Sequence, residues 1–155
     1  GCGTGLIGIA LAPTGAEIVG IDLSPHMLEI AAKRGAYSRL EQGELVEVLE
    51  RSPAASAHAV LAGDVFIYVG DLEAVFGAVA RVLAPGGVFA FSVEGLDEGS
   101  YRLQPSGRYA QSPGYLRSLA AGAGLEERRI ERARSRRDGQ GYAEGWLALF
   151  ARPTA

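Results

Sequence analysis

The residues whose types and spacing suit ligand chemistry stand at the start of the chain: Gly1-Cys2-Gly3-Thr4-Gly5, and then the carboxylate of Asp22. A glycine-rich turn lets backbone amides approach an anionic group, because no Cβ intervenes and positive φ is open to it. If such a turn feeds a helix, the first unpaired N–H groups add donors and a partial positive charge. A carboxylate at the end of the following strand can accept hydrogen bonds from two ribose hydroxyls. Turn, helix, strand and acid in that order hold a nucleotide-shaped ligand in an open α/β sheet. Gly3-Thr4-Gly5-Leu6-Ile7-Gly8 also fits the Gly-x-Gly-x-x-Gly spelling of dinucleotide binding. The fuller Gly1-x-Gly3-x-Gly5 spelling, with Asp22 opening Asp-Leu-Ser-Pro, is more specific.

These groups need elements to position them. An apolar helix is predicted over residues 6–12, stopped near Pro13, and a strand over 16–22, apolar on both faces. Ser24-Pro25 is a helix start, and that helix runs through Met27, Leu28, Ile30 and Ala31 to a stop at Gly35. A strand is expected at 37–40, a helix at 45–51, a loop at 52–56 and a buried strand at 58–63 ending on Asp64. His58 reads as a strand-start residue with no chemistry. Asp71-Leu72-Glu73 caps a helix whose Val75, Phe76, Val79, Val82 and Leu83 keep helical spacing. Pro85-Gly86-Gly87 predicts a turn and 88–93 a strand. Residues 95–112 read as a long loop of the lid or disordered kind. Ser112-Pro113 starts a helix ending at Ala123-Gly124. A strand over 125–134, a charged turn over 135–141 and a final strand over 145–151 complete an antiparallel pair.

The whole chain, 1–155, reads as one α/β domain with a sizeable core. Hydrophobic residues make up 48%, which argues against disorder. A net charge of −3 lacks the broad positive charge of a nucleic-acid binder. Arg128, Arg129, Arg132, Arg134, Arg136 and Arg137 form a basic patch, but no aromatic residue interleaves with them, so it reads as a solvated edge strand. No apolar run reaches the roughly twenty residues of a membrane helix. A single cysteine excludes an internal disulfide, and a cytoplasmic setting is expected. Cys2 reads as a small filler of the turn rather than a nucleophile, and no metal site is expected.

With Gly-Cys-Gly-Thr-Gly at 1–5, Gly20-Ile21-Asp22-Leu23-Ser24-Pro25, Gly63-Asp64-Val65-Phe66-Ile67-Tyr68 and Leu83-Ala84-Pro85-Gly86-Gly87, the chain resembles the class I S-adenosylmethionine-dependent methyltransferases. It looks most like the small methyltransferase-domain proteins (types 11 and 12), over nearly its whole length. The resemblance implies a Rossmann-like doubly wound sheet, mostly parallel, with a C-terminal antiparallel strand pair. In the family a buried central strand precedes the glycine turn. The sequence is therefore expected to be a fragment lacking that strand, with the neighbouring strands closed up or the ladder gapped.

The resemblance also implies a cofactor set. The amides of Gly1, Gly3, Thr4 and Gly5 would hold the carboxylate of S-adenosylmethionine, and Asp22 its ribose. Leu23, Met27, Glu44 and Leu45 would line the adenine slot, with Asp64 and Val65 at the C-terminal edge of the sheet. Asp is more usual than Glu at position 44, and a helix-start carboxylate is the other reading of Glu44. Core filling is the other reading of Met27. Tyr68, Tyr101, Arg108 and Tyr109 are the candidate contacts to a methyl acceptor, with Asp64 also on that side. Solvated surface is the alternative for Arg102 and Arg108. A His often stands in relatives where this chain has Gln111, so no His-based proton transfer is expected. No residue is assigned as catalytic, and the acceptor is left open between a small molecule and a protein. A nicotinamide-dependent oxidoreductase and a non-catalytic cofactor-binding relative are the competing readings.

Overall fold

The computed structural model describes residues 1–138 and 141–154. The chain divides into two compact units, Gly1–Arg51 and Ser52–Ala155.

The first unit runs α1 (Leu6–Leu11), a 3₁₀ turn (Ala12–Thr14), β1 (Val19–Asp22), α2 (Pro25–Lys33), β2 (Arg39–Gln42) and α3 (Leu45–Arg51). Pro13 sits in the 3₁₀ turn, where its missing N–H ends α1. Ser24 caps α2 by accepting from Met27 N at 3.3 Å, and Gly35 takes the left-handed stop at φ +68°. β1 and β2 are parallel, with Val19 opposite Arg39 and Asp22 opposite Gln42. Both strands begin later than the apolar pattern suggests. β1 can pair only where β2 supplies partners, and β2 starts after Tyr37, whose ring is packed against glycines instead. The buried residues of this unit are few and small: Gly5, Gly8, Gly20, Ala31, Val48 and Leu49.

The second unit runs β3 (Ala57–Ala62), a 3₁₀ turn (Phe66–Tyr68), α4 (Glu73–Val82), β4 (Leu83–Gly95), β5 (Tyr101–Leu103), β6 (Tyr109–Gln111), α5 (Pro113–Gly122), β7 (Glu126–Asp138) and β8 (Gly141–Ala151). The sheet order is β5-β6-β4-β8-β7, with β3 also paired to β4. β3 and β6 run parallel to β4, whereas β8 runs antiparallel to both β4 and β7. All five phenylalanines of the chain meet in this unit. Phe76 of α4 lies 5.4 Å from Phe89 and 5.8 Å from Phe150, and Phe66 lies 5.2 Å from Phe91, all close to perpendicular. Such edge-to-face pairs contribute beyond the area they bury.

Four details depart from the sequence reading. The stretch 95–112 is not one loop. Tyr101–Leu103 and Tyr109–Gln111 pair as a hairpin, and β6 adds to β4 through Glu94–Ala110 and Gly95–Gln111. The Pro85-Gly86-Gly87 turn survives as a bulge inside β4, since Ala57 faces Leu83 and Ala59 faces Val88. β3 is half exposed, including His58, Ala59 and Leu61, and pairs with β4 alone among the described residues. β7 continues to Asp138 and β8 begins at Gly141, so strand replaces most of the charged turn expected over 135–141; residues 139–140 of that expectation lie outside the described residues. No helix among the described residues is long and apolar enough to cross a membrane, and no cluster there could hold a metal ion.

Candidate functional site

Asp22, the last residue of β1, organises the glycine turn. Its Oδ2 accepts from Gly3 N at 2.7 Å and its Oδ1 from Ser24 N at 2.9 Å. Each carboxylate oxygen carries two lone pairs, so each keeps one acceptor direction after these bonds. The turn is anchored on β1 a second time, where Ile21 O accepts from Gly1 N at 2.6 Å and Cys2 N at 2.8 Å. Gly5 N closes the turn on Cys2 O at 3.0 Å and caps α1.

The glycines of this turn do different work. Gly3 has φ +53°, and open space lies where its Cβ would stand. A ligand can approach the backbone there. Gly5 has φ +90°, and its Cβ would stand 2.9 Å from Tyr37 Cε2 and 3.3 Å from Ala31 Cβ. Gly8 is tighter still, at 2.5 Å from Tyr37 Cζ, and Gly20 would meet Tyr37 at 2.8 Å. Burial pushes the Tyr37 phenol up, opposed by the Gly8 backbone. Tyr37 escaped the sequence reading. A glycine inside a helix costs about 1 kcal/mol against alanine, and this is the signal that asks for a close neighbour at Gly8. Burial also pushes the Cys2 thiol up, which keeps it protonated and fits a filler of the turn.

The loop after β2 is laced to the loop after β1. Gly43 N donates to Asp22 O at 3.1 Å, and Gln42 Nε2 donates to Leu23 O at 3.3 Å. Gln42 is a second residue that the sequence did not reveal. Glu44 caps α3, its Oε2 accepting from Val46 N at 2.8 Å and Glu47 N at 3.1 Å. That is the helix-start reading of Glu44, and it also fixes the carboxylate beside the loop. Leu23 is 66% exposed and Met27 37%, so neither fills a core, and Leu45 is half-buried. Gly1, Gly3, Asp22, Leu23 and Glu44 thus cluster on the turns beyond the C-terminal ends of β1 and β2, where open α/β sheets bind ligands.

The remaining predicted residues belong to the second unit. Asp64 follows β3 at φ +55°, a left-handed conformation that Asp tolerates better than most residues, and its N–H donates to Ser92 Oγ at 2.9 Å. Val65 leads into the 3₁₀ turn, whose Tyr68 is 71% exposed. Tyr101 and Tyr109 pack edge to face at 6.1 Å around Gly70, and Tyr101 lies 5.6 Å from Tyr115. Arg108 is half-buried at the end of the hairpin turn, with its carbonyl accepting from Gln104 N at 2.7 Å. Tyr115, Ser92 and Gln111 join this region without having been singled out as functional. Tyr115 Oη accepts from Leu72 N and donates to Asp71 Oδ1, both at 2.9 Å. Three arginines of the basic patch are paired: Arg128 with Glu126 at 3.0 Å, Arg129 with Glu131 at 2.5 Å and Arg132 with Asp97 at 2.6 Å. Aromatic rings do meet it, but from the neighbouring strand: Arg132 lies over Trp146 and Arg134 over Tyr142.

Comparison with known proteins gives the same direction. The family model described as a methyltransferase domain matches residues 1–89, more than half of the chain. A ubiquinone biosynthesis O-methyltransferase of Xanthomonas oryzae pv. oryzae (strain PXO99A) is 34% identical over 90 residues, 56% of this chain and 38% of that protein. The chain therefore spans well under half the length of that relative. A crystal structure of an S-adenosylmethionine-dependent methyltransferase from Methanosarcina mazei matches with a TM-score of 0.81 at 16% identity, covering all of this chain and 91% of that one. The [4+2]-cyclase SpnF matches with a TM-score of 0.82 at 19% identity, covering all of this chain and 73% of that one. The two structures share the fold, and their different chemistries show that the fold alone does not choose the reaction. On the family match, with glycine turn and Asp22 in place, this chain belongs to the class I S-adenosylmethionine-dependent methyltransferase domains.

Proposed function

We propose that the chain binds S-adenosylmethionine and transfers its methyl group to an acceptor, with residues 1–155 acting as one methyltransferase domain. The observation that carries this reading is the Asp22 carboxylate, set against Gly3 N with open space over Gly3. The donor set suits the group: the Thr4 amide for a carboxylate, in a turn shaped by Gly1 N, Gly3 N and Gly5 N donating to Ile21 O, Asp22 Oδ2 and Cys2 O, and free acceptor directions on Asp22 for ribose hydroxyls. Leu23, Met27 and Leu45 offer apolar surface for adenine, and the fixed Glu44 a polar end. Asp64 and Val65 are added from the family resemblance.

S-adenosylmethionine, when bound, supplies a methyl group already activated by the positive sulfur. The protein's part is to align an acceptor and exclude water, so a strong general base is optional. Tyr68, Tyr101, Arg108 and Tyr109 are proposed as the acceptor's contacts. The relative's name favours oxygen as the methylated atom. A cytoplasmic setting goes with this reading, supported by a sequence whose single cysteine forms no internal disulfide.

Calorimetry tests the proposal. The wild-type chain should bind S-adenosylmethionine and S-adenosylhomocysteine, and should not bind a nicotinamide dinucleotide. Asp22→Ala should weaken binding by about 1.5–3 kcal/mol, the range for hydrogen bonds to a charged group. Unchanged affinity would remove Asp22 from the site, and preference for the dinucleotide would favour the oxidoreductase reading.

A further inference from the structure

We infer that Gln111 is a positioning residue that clamps the turn of residues 64–69 through its side-chain amide. Gln111 is 0% exposed, and a buried amide is costly unless it is hydrogen-bonded. Its Nε2 donates to Phe66 O at 3.2 Å and to Val69 O at 2.8 Å, so one side chain spans the turn from β6. The same turn is held at its entry by Ser92 Oγ, which accepts from Asp64 N. Internally it is closed by Tyr68 N to Val65 O and Val69 N to Phe66 O, both at 3.2 Å.

The orientation of the amide is decided by the acceptors. Turning it over would point Oε1 at two carbonyl oxygens. As placed, Oε1 is buried with no hydrogen-bond partner among the described residues. The fold thus tolerates an unpaired acceptor in exchange for two donors aimed at one turn. Restraint matters there because Tyr68 is 71% exposed and gains little placement from packing. Its ring goes where the backbone of the turn carries it. The inference rests on the proposed function in one respect, that Asp64, Val65 and Tyr68 face cofactor and acceptor. The clamp itself stands on geometry alone.

Hydrogen exchange and calorimetry on the full chain test it, with Gln111→Met, similar in length but without donors, and Gln111→His, which keeps one N–H. In Gln111→Met the amides of Tyr68 and Val69 should exchange about tenfold faster, while those of the β4–β8 ladder keep their rates. Affinity for S-adenosylhomocysteine should fall about tenfold, because the groups on the turn lose their preset positions. Gln111→His should recover part of both effects. Unchanged exchange at Tyr68 and Val69 overturns the clamp, as does equal acceleration across the second unit, which would mark a general packing role. Faster exchange with unaltered affinity overturns the positioning of the cofactor side. If the wild type fails to bind S-adenosylhomocysteine, the proposed function falls, and the exchange rates alone still judge the clamp.

Discussion

Gly5 and Gly8 lie against the Cε2–Cζ edge of the half-buried Tyr37 ring and Gly20 against its Cδ1–Cε1 edge, so the ring is held between them. This decides what an added methyl group does at Gly8. Alanine gains about 1 kcal/mol of helix propensity there. Its Cβ, however, would stand 2.5 Å from Cζ of a wedged ring, and overpacking of that kind costs about 1–3 kcal/mol. Gly8→Ala should therefore be net destabilising by about 1 kcal/mol in urea titration. In a Tyr37→Ala background the same change should turn neutral or stabilising, and additive effects would refute the contact. The glycine turn and the strand ending on Asp22 were legible in the sequence because a motif ties those residue types to a spacing, but the bond from Gly3 N to Asp22, across 19 residues, was not. Tyr37 was not, because its partners lie at sequence distances that no spacing rule connects.

At the scale of elements, β4 carries the second unit, pairing with β3, β6 and β8. Gly145 faces Glu94 across the β4–β8 ladder, and a Cβ there would stand 2.0 Å from Val93 O. A backbone carbonyl in a central ladder cannot move aside as a side-chain tip can. Gly145→Ala should cost about 3 kcal/mol or more, read as a lowered unfolding midpoint, and a near-neutral result would mean that the strands can re-register. Helices α2, α3, α4 and α5 formed close to where caps and apolar spacing placed them, since caps are local. The β5–β6 hairpin was hidden because Gly, Ser and Tyr over residues 95–112 give no alternation, and β6 is a short strand held between two partners, β5 and β4. Tyr115 ties α5 to the start of α4, and its phenol is pushed from 10.0 up to about 12, first by burial and then by its bond to Asp71, against the opposing Leu72 N–H. A folded value above the unfolded one means that the folded state holds the proton more tightly. The contribution is full below pH 10 and is lost as pH rises toward 12. Wild type should lose stability across that window more steeply than Tyr115→Phe, and parallel pH profiles would contradict it.

At the scale of the molecule, the two units differ in what holds them. The large, fully buried side chains, among them Phe66, Phe76, Phe89, Phe150, Leu72, Leu83 and Leu116, lie in the second unit, whereas Val48 is the first unit's member of that set. The first unit instead relies on a two-stranded sheet and on glycine packing around one tyrosine. A two-stranded sheet is marginal in water without further packing. Yet this unit carries Asp22 and the glycine turn, the groups proposed to hold the cofactor. A ligand that binds the native state alone stabilises what it touches in proportion to the logarithm of its concentration over its dissociation constant. Amides of residues 1–51 should therefore exchange faster than those of β4 and β8 in the free protein. Saturation with S-adenosylhomocysteine at about a hundred times its dissociation constant should slow exchange in the first unit by up to about a hundredfold, equivalent to roughly 2.7 kcal/mol. Asp22→Ala at the same ligand concentration should lose much of that protection, because weaker binding lowers the ratio that sets it. Equal protection of both units in the free protein would show that buried side-chain volume does not govern local opening here, and ligand protection confined to the second unit would move the binding groups away from Asp22.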